Sequence, residues 1–267
     1  MSSSTAFENI LKRDRLIILG GLCGLTALAW GYMIHEARAM TLTGVCCCAG
    51  MKMSAPDMEA WSASALVPLF LMWTEMMVAM MLPSAAPMIL TFAMVNRQRR
   101  EREQPFVSGG IFTGGYLTVW MGFSALAAVA QWTLHSAALL SPMMVSTSSW
   151  LGGALLVSAG IFQWSPIKHA CLEQCRSPLS FLMTDWREGN RGAFIMGLKH
   201  GFYCTGCCWL LMTLLFVAGV MNMWWVAIIA VIVLLEKVSP RAFWIERFAG
   251  LILVLWGIWM IAVPLLH

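Results

Sequence analysis

The densest group of chemically capable residues lies in Lys199-His200-Gly201-Phe202-Tyr203-Cys204-Thr205-Gly206-Cys207-Cys208-Trp209. On a helix, His200, Cys204, Cys207 and Cys208 share one stripe about 100° wide, because positions i, i+4, i+7 and i+8 return to the same face. Three thiols and an imidazole on one face are soft or borderline metal donors. Thiolates, thioethers and imidazoles select soft and intermediate transition ions, with Cu(I) favoured by sulfur and with zinc and iron as alternatives. A thiolate forms in an apolar interior only if a metal or another cation compensates its charge. The adjacent Lys199 is a candidate for that cation.

A second thiol pair precedes it in Lys168-His169-Ala170-Cys171-Leu172-Glu173-Gln174-Cys175-Arg176-Ser177-Pro178. Cys171 and Cys175 stand i and i+4, so on a helix they share a face. This charged piece follows Pro166 and stops near Pro178, which predicts a short cytoplasmic or interfacial helix. Its spacing lacks the paired Cys-x-x-Cys knuckles of a structural zinc site.

Thioethers come from Met72-Trp73-Thr74-Glu75-Met76-Met77-Val78-Ala79-Met80-Met81-Leu82-Pro83. Met72, Met76 and Met80 recur every four residues, and Met77 and Met81 form a second pair on another side. Thioethers bind Cu(I) without losing a proton, although methionine is also an adaptable core filler. Glu75 falls on the Met72 and Met76 side, and an acid deep in a membrane helix usually faces a partner, a cavity or an ion path. Pro83 and Pro87 free backbone carbonyls or kink the helix. Farther upstream, Cys46, Cys47 and Cys48 lie among Met40, Met51, Met53 and Met58, as a capture arm or a disulfide-tied loop.

The elements that position these residues follow from composition. Of 267 residues, 60% are hydrophobic and 11% charged, with a mean hydropathy of +0.75. That excludes a disordered chain, a soluble α/β enzyme and a small disulfide scaffold, and it predicts a chain written for a bilayer. Apolar runs near 16–34, 66–94, 108–134, 150–166, 194–220, 222–235 and 248–266 predict an all-α, polytopic transmembrane helix bundle of about seven spans, one domain over residues 1–267. Counting along the helix places Cys204 roughly 20 Å from Arg191, inside the hydrocarbon. Fifteen of the seventeen Lys and Arg residues alternate with these spans so as to put the N-terminus inside and the C-terminus outside, Arg38 and Lys52 being the exceptions. The basic start of span one and the Ala37-Arg38-Ala39 triplet also fit a cleaved signal peptide, though the apolar run is long for one. Small-residue spacings such as Gly20 with Gly24, Gly110 with Gly114 and Gly197 with Gly201 predict close helix packing.

The stretches Lys168 to Pro178 and His200 to Trp209 carry the motifs Lys-x-x-Cys-Leu-x-x-Cys-Arg-Ser-Pro and His-Gly-x-x-Cys-x-Gly-Cys-Cys-Trp. Through them the chain resembles a bacterial family of predicted metal-binding integral membrane proteins of unknown function. The resemblance covers roughly residues 66–260 and includes Ala79 to Ser84, Pro87-Met88, Trp186-Arg187-x-Gly189, Met221-Asn222-Met223 and Glu236-Lys237. It implies a multi-helix membrane fold with a metal site, in a bacterial inner membrane.

The resulting expectation is a membrane-embedded binder of a soft transition metal, Cu(I) first. Cys204, Cys207, Cys208, His200, Met72 and Met76 would be its ligands, Cys171 and Cys175 a cytoplasmic-side acceptor and Glu75 a charge-balancing group. Its partners would be the lipid bilayer, the metal ion and a membrane-protein or metallochaperone partner. Alternatives are a thiol–disulfide electron relay built on the Cys204-x-x-Cys207 pair and an accessory subunit of a membrane complex. No nucleotide-binding loop, Ser-His-Asp set or paired-carboxylate site argues for an enzyme, and the formal charge of +4 makes no case for nucleic acid.

Overall fold

The computed structural model describes residues 2–43, 65–103, 106–137, 148–220 and 222–265, which form helices and turns with no strand among them. The Cys46 to Cys48 segment lies outside the described residues. Helices α1 (Ser2–Thr43), α2 (Leu66–Glu101), α3 (Gly109–Ser136) and α4 (Ser149–Phe162) are followed by two short helices, α5 (Pro166–Arg176) and α6 (Pro178–Asp185). Then come α7 (Gly189–Thr213), a single turn α8 (Leu215–Ala218), α9 (Met223–Val238) and α10 (Ala242–Ala262). Ser108, Ser148, Ser165 and Asn222 cap the starts of α3, α4, α5 and α9 by accepting hydrogen bonds from backbone amides. Such caps are each worth about 1 kcal/mol.

Among the described residues, five helical stretches are long and apolar enough to cross a membrane: Leu16–Arg38, Leu66–Glu101, Gly109–Ser136, Gly189–Ala218 and Ala242–Ala262. The expected spans at 150–166 and 222–235 correspond to the shorter α4 and α9, of 14 and 16 residues. The first three helices alternate in sense along the chain. Glu75 faces Glu36 and Ala79 meets Trp30 in the antiparallel α1–α2 pair. The Trp73 indole donates to the Gln131 side-chain oxygen, Oε1, at 2.6 Å and Phe92 stacks on Phe112 in the antiparallel α2–α3 pair.

Helices α3 and α7 run parallel and touch backbone to backbone. A Cβ added at Gly197 would lie 2.0 Å from the Phe112 carbonyl oxygen, and one at Gly115 would lie 2.2 Å from that of Phe194. Gly197 and Gly201 therefore serve the close packing that their spacing predicts. On α3 the contact residue is Gly115, next to Gly114; Gly110 and Gly114, whose spacing predicts close packing, face no other helix within 4 Å among the described residues. Gly20 and Gly24 likewise meet nothing within that distance.

Helix α2 continues through both prolines as one element of 36 residues. Pro83 has no N–H to give the Ala79 carbonyl, and the indole of Trp30 on α1 donates to that oxygen instead, at 3.2 Å. The core thus sits where α2, α3, α7 and α9 converge, with Trp73, Tyr116, Trp120 and the α7 cysteines almost wholly buried.

Candidate metal centre

Cys204, Cys207 and Cys208 are buried on the inner face of α7, as their stripe predicts. Four other elements close around them. Helix α3 brings Tyr116, whose hydroxyl lies 3.1 Å from Cys204 Sγ and 3.1 Å from the Met81 carbonyl oxygen. Helix α2 brings Met81, with Sδ 4.0 Å from Cys208 Sγ. Helix α5 brings the buried Cys175, whose side chain interacts with those of Cys204 and Cys207. Helix α9 brings Lys237, whose ammonium donates to Cys204 Sγ at 2.8 Å and to Ser84 Oγ at 2.9 Å.

Lys237 is the cation that a buried thiolate needs, in place of the expected Lys199. The Lys199 ammonium is held by Asp185 at the α6–α7 end of the molecule. Lys237 reads in sequence as one more positive flank of an apolar run, and only the convergence of α9 on α7 turns it inward. Met81 was equally hard to single out: its signals are the Met77 to Met81 spacing and the nearby Pro83.

The thiols are not drawn into a coordination shell. Among the described residues no group of three or more His, Cys, Asp or Glu side chains is arranged to hold a metal. Cys207 and Cys208 each donate to the Cys204 carbonyl oxygen at 3.0 Å. These are bonds a thiol makes when it still carries its proton.

His200 is buried one turn below Cys204, stacked on Phe112 and Tyr116 with Phe181 edge-on. Among the described residues its Nδ1 has no hydrogen-bond partner, which leaves a buried imidazole nitrogen able to serve as a metal ligand. Cys171 is half-buried on α5, and its sulfur rests over Gly206, where a Cβ would approach it to 2.9 Å. Burial, with the neighbouring Cys207 sulfur as the smaller cause, pushes the Cys171 thiol above its ordinary value.

The other expected residues lie toward the start of α2. Met76 is buried while Met72 and Glu75 are half-buried, and Glu75 faces Glu36 of α1. Met76 precedes Met81 by five residues, roughly 7.5 Å along the helix axis. The structure gathers Cys175, Cys204, Cys207 and Cys208, sets the Met81 sulfur against Cys208, and leaves His200 and Cys171 at the edges of the group.

A charged network that the sequence did not announce braces this group. Lys168, fully buried, bonds Gln163 and pairs with Glu236 at 2.7 Å, while Gln163 also donates to Glu236 at 2.9 Å. At the far end of α5, Arg176 donates to the Ser239 carbonyl oxygen at 2.9 Å. The two ends of α5 are thereby tied to α9 and the turn that follows it, which sets Cys175 against α7.

No curated protein and no solved structure matches the chain. A family model, PpoB2, described as a copper chaperone, matches residues 70–260, a stretch that contains every thiol and thioether of the group. With that match over most of its length, the chain belongs to the PpoB2 copper chaperone family.

Proposed function

We propose that this chain is a membrane-embedded carrier of Cu(I) that holds the ion among Cys175, Cys204, Cys207, Cys208 and Met81 and passes it to a sulfur-bearing partner. The observation that carries this reading is the meeting of four buried thiols and one thioether with a single buried ammonium. Charge counting favours a monovalent ion held by two thiolates. Cu(I) with two thiolates has a net charge of −1, and Lys237 brings the centre to neutrality in a medium where uncompensated charge is expensive. Cu(I) is content with two or three sulfur donors, so the five sulfurs offer alternative pairs between which the ion can step. The family match supports copper and lends nothing to zinc or iron.

In this reading His200 is a further donor below the sulfurs. Met76 and Met72, more than a turn away along α2, are thioether steps on the way in, with Glu75 balancing charge. The helices would make seven crossings of a bacterial inner membrane with the N-terminus inside, α4 and α9 included.

Metal analysis of the purified, reduced protein offered Cu(I) tests the proposal. The wild type should retain copper, and the variant with Cys204, Cys207 and Cys208 changed to Ser should retain at most a tenth as much. A wild type that stays copper-free under these conditions overturns the reading.

One observation favours a second reading, a thiol–disulfide relay: Cys175 meets both members of the Cys204-x-x-Cys207 pair. Exchange requires a thiolate to approach a disulfide sulfur, and that placement provides the approach. Thiol trapping discriminates, because redox-dependent labelling of Cys204 and Cys207 that ignores copper would support the relay.

A further inference from the structure

The thiols of the centre are graded in accessibility. Cys175, Cys204, Cys207 and Cys208 are buried, whereas Cys171 is half-buried, the one member of the group with open surface. It stands beside Cys207 across Gly206. Helix α5 is a wall one helix thick: one side carries Cys171 and Cys175, and the other lines a cavity of about 450 Å³ with His169, Glu173, Arg176 and Ser177, faced by Glu246 and Phe243. The cavity side is mostly polar and charged, and the inner side is sulfur.

From this arrangement we infer that Cys171 is the exchange thiol through which the buried centre and an external acceptor trade the ion, and that Gly206 is the residue that lets it reach. The inference rests on the Cu(I) reading above and adds the route and the class of partner: a soluble thiol or thioether ligand that approaches α5. The step is a ligand exchange without change of oxidation state. A bond from Cu(I) to Cys171 Sγ forms as the bond to Cys207 Sγ breaks, and the Cys171 thiol proton passes to the departing Cys207 thiolate. The acceptor's sulfur then displaces Cys171 in the same way.

Gly206 gives the arrangement its sharpest constraint. It stands between Cys204 and Cys207 in sequence, and its missing side chain is the space in which the Cys171 sulfur lies. A methyl there displaces the Cys171 side chain or lifts α5 from α7, while the α7 cysteines keep their places on the helix.

The test is Cu(I) release from the detergent-solubilised full chain to a water-soluble Cu(I) chelator, bathocuproine disulfonate, expressed as a rate per copper bound. Cys171→Ser and Gly206→Ala should each release copper at least tenfold more slowly than wild type. A membrane-impermeant maleimide should label Cys171 of the metal-free wild type before the other four thiols of the centre, as read by peptide mapping. Release from Cys171→Ser within twofold of the wild-type rate overturns the inference. So does loss of all copper from that variant, because Cys171 would then be a holding ligand, and so does prior labelling of Cys204 or Cys207. A wild type that binds no copper is a different result, which fails the Cu(I) reading itself. Should Gly206→Ala not fold, Cys171→Ser and the labelling order decide the matter alone.

Discussion

At the scale of single residues, the pairing of Lys237 with Cys204 carries the most chemistry. An ammonium donates to a sulfur at 2.8 Å with both nearly without solvent, so each partner sits where the other can compensate its charge. Tyr116 adds a hydroxyl with one proton and two neighbours. It donates to the Met81 carbonyl when Cys204 is protonated and can turn to the sulfur when Cys204 is not. Replacing Lys237 with Met removes the compensating charge and keeps the volume of the side chain. We expect Lys237→Met to weaken Cu(I) retention by about tenfold or more, since a buried anionic centre would lose its compensating charge. Competition against a Cu(I) chelator measures it, and retention equal to wild type would remove Lys237 from the centre. Lys237→Arg, which keeps the charge in a bulkier group, should fall between the two.

At the scale of elements, the position of the thiols depends on how closely α7 can lie on α3. Gly197 and Gly115 set that distance because each faces a carbonyl oxygen of the other helix. Backbone cannot rotate away as a side chain can, so Gly197→Ala should cost at least the upper end of the roughly 1–3 kcal/mol typical of overpacking. Gly114→Ala, on an open face of α3, should leave stability within about 0.5 kcal/mol of wild type. Thermal unfolding in detergent compares the two, and equal melting points would contradict the close contact. The sequence makes one side of this interface readable: Gly197 and Gly201 announce it four residues apart. The partner side is less legible, because Gly110, Gly114 and Gly115 all stand on α3 and only the rotation of the helix in the bundle decides which faces inward. The same limit applies to the metal centre. The stripe of Cys204, Cys207 and Cys208 follows from helical periodicity, and so does the pairing of Cys171 with Cys175 on α5. Which methionine meets them depends on the register between α2 and α7, which no local pattern encodes, and the meeting falls on Met81.

For the molecule as a whole, the distribution of charge and the senses of the helices make one statement about orientation. The last turn of α2, with Arg99 and Arg100 and with Arg102 just beyond it, lies at the same end as the start of α7, where Arg99 pairs with Glu188 at 2.6 Å and its guanidinium covers Trp186. The C-terminal end of α3, where Gln131 meets Trp73 near the start of α2, is the opposite end. Topology reporters should follow this division. A fusion of alkaline phosphatase after Glu103 should be inactive and one after Ala137 active, since that enzyme works only outside the cytoplasm. The opposite pattern would invert the orientation that the basic residues imply. The whole-molecule view also explains why Lys168, Lys237 and Glu236 escaped notice as interior residues. By composition they belong to loops, but they stand in the first turn of α5 and the last turn of α9, buried where their charges are neutralised by one another and by sulfur.

Pro83 gives α1 its fastening. By withholding an amide from Ala79 it leaves an oxygen that only an outside donor can satisfy, and Trp30 is that donor. A proline usually regarded as a flaw in α2 thus acts as a socket for the first helix. Restoring the amide with alanine would fill the socket from within α2 and leave the indole of Trp30 without its seat.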